Sequence, residues 1–173
     1  MVGILSADLA LNLPDFRAGE KTFQLLTQAA GRAGRGELKS QIVLQTYAPD
    51  HPAIRFAIHH DFEGFYHSEL PMREYFHYPP FYILVKLVFA HTDQEKTLEI
   101  ADEWKKQLLE IEGVELLGPA PSPISKIQNL YRSQVLIKTL KLRELRSKLF
   151  YLRKQWESKL HRLTIDFNPM SML

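Results

Sequence analysis

Gln28-Ala29-Ala30-Gly31-Arg32-Ala33-Gly34-Arg35-Gly36 is the stretch most able to do chemistry. Two arginines stand three residues apart, each preceded by a glycine, with a glutamine four residues before the first. Guanidinium groups are planar, permanently charged forks that match phosphate oxygens. Glycines let a backbone bend and approach a ligand closely. Phe23, Leu26 and Ala30 recur at helical spacing, so a helix is expected over about 18–30, ending near Gly31. The chemistry this predicts is phosphate contact by Arg32 and Arg35 at a glycine-rich helix end. The plainer alternative is a capped helix with solvated arginines, since short motifs arise by chance.

A second group of polar residues lies in Lys126-Ile127-Gln128-Asn129-Leu130-Tyr131-Arg132-Ser133-Gln134. Lys and Arg can meet phosphates, and a tyrosine ring can stack on an unpaired base. Lys126, Tyr131, Arg132 and Gln134 are therefore candidate DNA contacts; the alternative is the edge of an ordinary hairpin. A third group is Lys141, Arg143 and Arg146, at the start of a strongly basic segment. Read from the residues alone, they belong to a basic face for a polyanion or acidic partner, or to a solvated helix face. His59, Glu63 and His67 step by four and would share one helical face, but no further ligand accompanies them, so no metal is expected there.

Charge is distributed unevenly. The net charge is only +2, yet between Ser122 and Arg162 eleven lysines and arginines face only Glu144 and Glu157. From His91 to Glu115 the sign reverses, with eight carboxylates against three lysines. Such asymmetry points to a basic face for a polyanion or acidic partner, or to two solvated helices. The 173 residues allow one domain or one and a half. Hydrophobic residues at 45% and charged residues at 24% are ordinary for a globular chain. No run of about 18 apolar residues is present, and the first residues lack the pattern of a secretory signal. With no cysteine, disulfides and thiolate zinc sites are excluded within the chain. A cytoplasmic location fits.

The elements that must position these groups read as follows. Val2–Leu5 and 41–47 are expected strands flanking the helix over 18–30. Ile54, Ile58, Phe62 and Phe65 mark a buried helical stripe, and Pro71 opens a second helical piece that ends before Tyr78-Pro79-Pro80. Phe81–Ala90 is a strand with a core pattern. A helix over 92–112 carries Leu98, Ala101, Trp104, Leu108 and Ile111, with Trp104 in the core. Val114–Leu117 is a short strand closed by Gly118-Pro119, residues 120–123 a loop, and 124–127 a further short strand. In the strand over 132–139, Val135 and Ile137 share one face and Gln134, Leu136 and Lys138 the other. Leu142, Leu145, Leu149, Leu152, Trp156 and Leu160 step along a long helix, and Leu163–Phe167 is the last strand. The order from Phe81 is β-α-β-β-α-β, the split-βαβ ferredoxin-like pattern. It predicts an antiparallel four-stranded sheet with both helices on one face and the other face open.

The string Gln28-x-x-Gly31-Arg32-x-Gly34-Arg35 resembles motif VI of superfamily-2 helicases. With Ala7-Asp8, Leu13-Pro14-Asp15-Phe16-Arg17-Ala18 and Thr22 to Gln28 it resembles the PriA family of bacterial replication-restart helicases. The likeness resumes at Ile42–Tyr47, Tyr78-Pro79-Pro80-Phe81, Leu117-Gly118-Pro119-Ala120-Pro121 and Asp166-x-x-Pro169. It implies an α/β start, residues 1–48, belonging to a RecA-like second motor lobe with a parallel sheet. A helical linker (49–78) and a ferredoxin-like C-terminal domain (79–173) would follow.

The resemblance also implies roles. Arg35, and with it Arg32, would stabilise charge on the transferred phosphoryl group, with Gln28 beside them and Gly31 and Gly34 keeping the backbone close. ATP and magnesium would be held by a first lobe upstream, and zinc by a cysteine-rich module also upstream. With no Walker A loop of its own, the chain is expected to hydrolyse no ATP alone. The implied partners are forked and single-stranded DNA, met by Lys126, Tyr131, Arg132 and Gln134, the acidic tail of single-stranded DNA-binding protein, met by Lys141, Arg143 and Arg146, and other primosome proteins, with no membrane. Ile127-Gln128-Asn129 departs from the family, which is richer in glycine and arginine at that point. Two other readings stand beside this one: a non-enzymatic nucleic-acid module, and an adaptor for an acidic protein tail.

Overall fold

In a computed structural model, residues 2–33, 42–156 and 162–172 are described. The chain divides into two compact units, Met1–Tyr75 and Phe76–Leu173.

In the first unit, strands β1 (Val2–Ile4) and β2 (Ile42–Leu44) pair in parallel. A parallel pair needs a crossover, and helix α1 (Ala18–Ala33) lies between them in sequence. Asp8 joins the two ends: Thr46 Oγ1 and the Tyr47 N–H, at 2.9 Å, donate to its carboxylate. Helices α2 (Pro52–Ile58) and α3 (Phe62–Tyr75) follow. Pro52 sits in the first turn of α2, where its missing N–H costs nothing, and the His51 ring accepts from the Ala53 N–H. The core is Ala7, Phe23, Leu26, Ala53, Ile54, Ala57 and Phe65, with Phe23 and Phe65 stacked at 4.6 Å.

Three expectations change here. Helix α1 does not end near Gly31 but runs on to Ala33. The stripe over 54–65 is not one helix: His60 adopts φ 53° and breaks it. Ile54 and Phe65 are consequently buried, whereas Ile58 and Phe62 are exposed. Pro71 does not open a helix but lies inside α3, on the exposed side, where water can meet the carbonyl that loses its donor.

In the second unit, strands β3 (Ile83–His91), β4 (Val114–Ile127), β5 (Leu130–Thr139) and β6 (Arg162–Phe167) form one sheet in the order β4-β5-β3-β6, with antiparallel pairs throughout. Helices α4 (Gln94–Leu108) and α5 (Leu142–Trp156) connect them. Asp93 caps α4 by accepting from the Glu95 and Lys96 N–H groups. Val85, Leu87, Phe89, Val135 and Ile137 point to one face and share a core with Ala101, Trp104, Leu108, Leu145, Leu149, Leu152 and Trp156. Trp104 is fully buried and meets Phe89 edge-on at 5.3 Å.

The expected loop at 120–123 is instead part of one fourteen-residue strand. β4 is an edge strand, so Pro119, Pro121 and Pro123 remove no bonds that a central strand would need. The register shifts between Leu117 and Ala120, and again between Pro121 and Lys126. Gly118 supplies φ 98° at the first shift, where a Cβ would stand 2.7 Å from the Gln134 carbonyl oxygen.

The face away from the helices, expected to be open, is partly covered. Lys138 Nζ donates to the Phe76 carbonyl at 2.8 Å and lies 4.3 Å from the Tyr78 ring centre, while Lys86 Nζ donates to the Ser171 carbonyl at 2.7 Å. Chain flanking the sheet therefore crosses one end of that face.

Candidate functional site

Helix α1 is anchored at its start and exposed at its end. Asp15 is buried and accepts from the Arg17 N–H at 2.9 Å and Lys21 Nζ at 2.8 Å. Burial pushes the Asp15 carboxyl up, but the bonds from Lys21 and Arg17 outweigh it and hold it below the usual range. Arg73 of α3 reaches Glu20 at 2.8 Å and Glu69 at 3.2 Å. The phosphate-contact candidates lie at the other end. Gln28 and Gly31 are exposed, and open space surrounds the position of a Gly31 Cβ. Because α1 continues through Ala33, positions 28, 31 and 32 fall on one helical face. The side chain of Arg32, with Gly34 and Arg35, lies outside the described residues.

The second group lies at one hairpin but is divided by the sheet: Tyr131 shares the alternation of Val135 and Ile137 on the helix side, whereas Arg132 and Gln134 alternate onto the other face. Ile127 pairs with Leu130, so the β4–β5 turn is the two residues Gln128 and Asn129, with φ 50° and 63°. Both values suit the tight turn whose twist matches the strands; the departure at 127–129 is thus a turn. Lys126 pairs with Tyr131, its Nζ lying 3.3 Å from the Tyr131 Oη and 4.5 Å from the ring centre. Arg132 Nη1 donates to the Ile124 carbonyl at 3.5 Å, one bond for a guanidinium that has five donors. Gln134 lies one row further along the sheet, opposite Val88.

The third group opens α5. Arg143 and Arg146 are both exposed, three positions apart on one helical face, with the Arg146 guanidinium 5.4 Å from the Phe167 ring centre. Lys141 is paired with Glu112 at 3.1 Å, a bond that raises the lysine above its usual value. His59 closes α2, whereas Glu63 and His67 lie on α3. The three do not share one helix, and no group of three or more metal-binding side chains occurs among the described residues.

The buried contacts of Lys138 had no signal in the strand alternation. Its side chain is 5% exposed and pairs with Glu115 at 3.0 Å, while His77 Nδ1 lies 2.7 Å from the other Glu115 oxygen. Burial pushes the Glu115 carboxyl up, but the bonds from His77 and Lys138 prevail and hold it below its usual value. Arg162 was likewise overlooked. It stands opposite Ala90 on β6, as Arg132 does on β5.

A parallel two-stranded sheet and an antiparallel four-stranded sheet make the chain mixed α/β, with Lys126 exposed at the hairpin and Arg143 and Arg146 exposed on α5. The chain belongs to the family described as Primosomal protein N C-terminal domain, which matches residues 74–170, more than half of its length. It is 40% identical to the Replication restart protein PriA of Bacillus subtilis (strain 168), covering 100% of this chain and 22% of that protein. Against the protein of the same name from Synechocystis sp. it is 40% identical over 99% of this chain and 21% of the relative. Against that of Rickettsia conorii it is 37% identical over 99% and 26%. The chain spans about a fifth of the length of these curated relatives. No helix among the described residues is long and apolar enough to cross a membrane.

Proposed function

We propose that the chain forms the C-terminal part of an ATP-dependent 3′-to-5′ DNA helicase of the bacterial cytoplasm. The whole protein would recognise stalled or abandoned replication forks and begin primosome assembly for replication restart. The observation that carries this reading is the 40% identity extending along all of the chain to a protein named for replication restart.

In this reading residues 1–48 belong to a RecA-like second motor lobe. The parallel β1–β2 pair supports it, because two parallel strands are too few for a stable sheet and parallel sheets are buried on both faces. Residues 49–78 join that lobe to a domain over 79–173, whose order β4-β5-β3-β6 with both helices on one face supports a ferredoxin-like assignment. Arg35 and Arg32 would set guanidiniums toward a nucleotide's phosphates, with Gln28 on the same helix. The open space at Gly31 leaves room for that approach. ATP with magnesium would supply the phosphoryl group whose hydrolysis drives movement. Residues outside this chain would hold both, and zinc would sit in a module also outside it. Lys126, Tyr131, Arg132 and Gln134 contact DNA; Lys141, Arg143 and Arg146 receive the acidic tail of single-stranded DNA-binding protein.

The test is Arg35→Ala in the complete protein. DNA-stimulated ATP hydrolysis should fall by about a thousandfold or more, with DNA affinity nearly unchanged. Wild-type turnover would refute the assignment. A second reading, a binding module without motor function, is favoured by the concentration of uncommitted cations in the second unit. Forked DNA and an acidic peptide, each titrated into the chain across salt, separate binding from motor function.

A further inference from the structure

The far face of the sheet carries a site that the sequence pattern did not single out. Its residues lie in rows. Arg132, Ala90 and Arg162 form the first, and Gln134, Val88 and Thr164 the second. Alternation places both rows away from α4 and α5, since Leu87, Phe89 and Val135 face those helices. One end of this face is committed: Lys138 is bound to Glu115 and the Phe76 carbonyl, and Lys86 to the Ser171 carbonyl. The other end holds a concavity of about 160 Å3 lined by Val88, Ala90, Ile127, Leu130, Arg132 and Arg162, with Thr164 and Gln128 at its polar side.

Its chemistry is selective. Arg132 and Arg162 flank the small Ala90 from both sides, so their Cα atoms stand about 10 Å apart, two strand spacings. The lining includes no carboxylate, and neither arginine forms an ion pair among the described residues. The floor between them is apolar. The volume is well below the roughly 300–1,000 Å3 of drug-sized ligand pockets, so it suits one flat or ring-sized group rather than a cofactor. Two anion-binding forks around a small apolar recess match successive phosphates of a nucleic-acid strand whose intervening base or sugar is free to turn inward. A duplex keeps its bases stacked and offers no such group.

We propose that Arg132, Ala90 and Arg162 form a clamp for an unpaired nucleic-acid strand, leading from the β4–β5 hairpin across the far face of the sheet. The inference rests on the DNA-handling reading above and adds Arg162 and a path to it. Arg132 belongs to both; Arg162 belongs to the clamp alone.

The experiment is fluorescence anisotropy on the 173-residue chain with a labelled thymidine oligonucleotide, a duplex of equal length and an acidic peptide, each across salt. Arg162→Ala should weaken unpaired-strand binding by about tenfold at low salt. It should also reduce the slope of log affinity against log salt by about 0.7, the value for one single-strand phosphate. Duplex binding should change less. Tyr131→Ala runs in parallel. If Arg162→Ala binds the strand like wild type while Tyr131→Ala is weakened, the clamp is wrong and the hairpin reading survives. If both bind like wild type, both fall. Loss of peptide binding with strand binding intact also overturns the clamp. Should Arg162→Ala fail to fold by circular dichroism, Arg162→Gln, which keeps the stem, carries the same comparison.

Discussion

Lys138→Met should destabilise the second unit by an amount that its contacts set. The lysine side chain is 5% exposed and makes one ion pair, at 3.0 Å to Glu115, and one bond to a backbone carbonyl, at 2.8 Å to Phe76. Methionine preserves most of the stem and its packing, so the loss is polar. A hydrogen bond to a charged group contributes about 1.5–3 kcal/mol, and the exposure of Phe76 places this one at the low end. The Glu115 side chain is 40% exposed and can rehydrate, which discounts the ion pair to the surface range of about 0–1 kcal/mol. A net cost of about 2 kcal/mol follows. At about 4–8 °C per kcal/mol for a unit of this size, the melting midpoint should fall by about 8–16 °C. Both tryptophans, Trp104 and Trp156, lie in the second unit's core, so their fluorescence reports this unit. Glu115→Gln alone should cost less than Lys138→Met, and the double variant less than the sum of the two. A Lys138→Met chain melting within about 2 °C of wild type would show that the Phe76 carbonyl and Glu115 are satisfied by water, and that the lysine does not hold the chain before β3 to the sheet.

Two further outcomes follow from the same structure. Glu115 and Asp15 both have carboxyls held below their usual values of 4.5 and 3.8. Their stabilisation is therefore present above those values and lost as pH falls through the lower folded ones. Urea midpoints from pH 7 toward 3 should drop on the acid side. Glu115→Gln should flatten that limb in tryptophan fluorescence, and Asp15→Asn in far-ultraviolet circular dichroism; unchanged acid limbs would contradict the assignment. Gly118→Ala should cost more than about 1 kcal/mol, because φ 98° disfavours a side chain and the new Cβ would meet the Gln134 carbonyl oxygen at 2.7 Å. A melt at the wild-type midpoint would mean that β4 can move aside.

Local pattern sufficed where an element's apolar residues recur with the period of that element. β3, α4, β5, α5 and β6 all fell near their expected places, because their apolar positions meet one core. It failed where neighbours decide the outcome. Three prolines between 119 and 123 look like a loop until β4 is known to be an edge strand. The stripe over 54–65 has correct helical spacing, yet a single left-handed residue, His60, turns half of it outward. Lys138 alternates correctly onto the far face, but only the incoming Phe76–Tyr78 segment, distant in sequence from β5, makes it a buried lysine. Arg162 had no local signature because its relation to Arg132 passes through Ala90 on a third strand. For the phosphate-contact candidates, structure adds the shared face of positions 28, 31 and 32.

The charge asymmetry has a partly internal explanation, and that explanation is testable. Three of the basic residues after Ser122 are paired with the acidic segment before them: Lys138 with Glu115, Lys141 with Glu112, and Lys148 with Glu110. Opposite blocks in sequence thus meet in space, and not all of the basic surplus is free for a polyanion. The Glu110 and Glu112 pairs join exposed carboxylates, 67% and 92% accessible, so each is worth little to stability but still occupies a cation. Glu110→Gln with Glu112→Gln should leave the melting midpoint within about 2 °C. If the start of α5 meets a polyanion, freeing Lys141 and Lys148 should tighten binding at low salt. Each added phosphate contact should steepen the dependence of log affinity on log salt by about 0.7–0.9. If binding tightens with no change in slope, the gain comes from lost repulsion alone. If nothing changes, α5 does not face the bound polyanion, and the hairpin with the far face of the sheet is left as its seat.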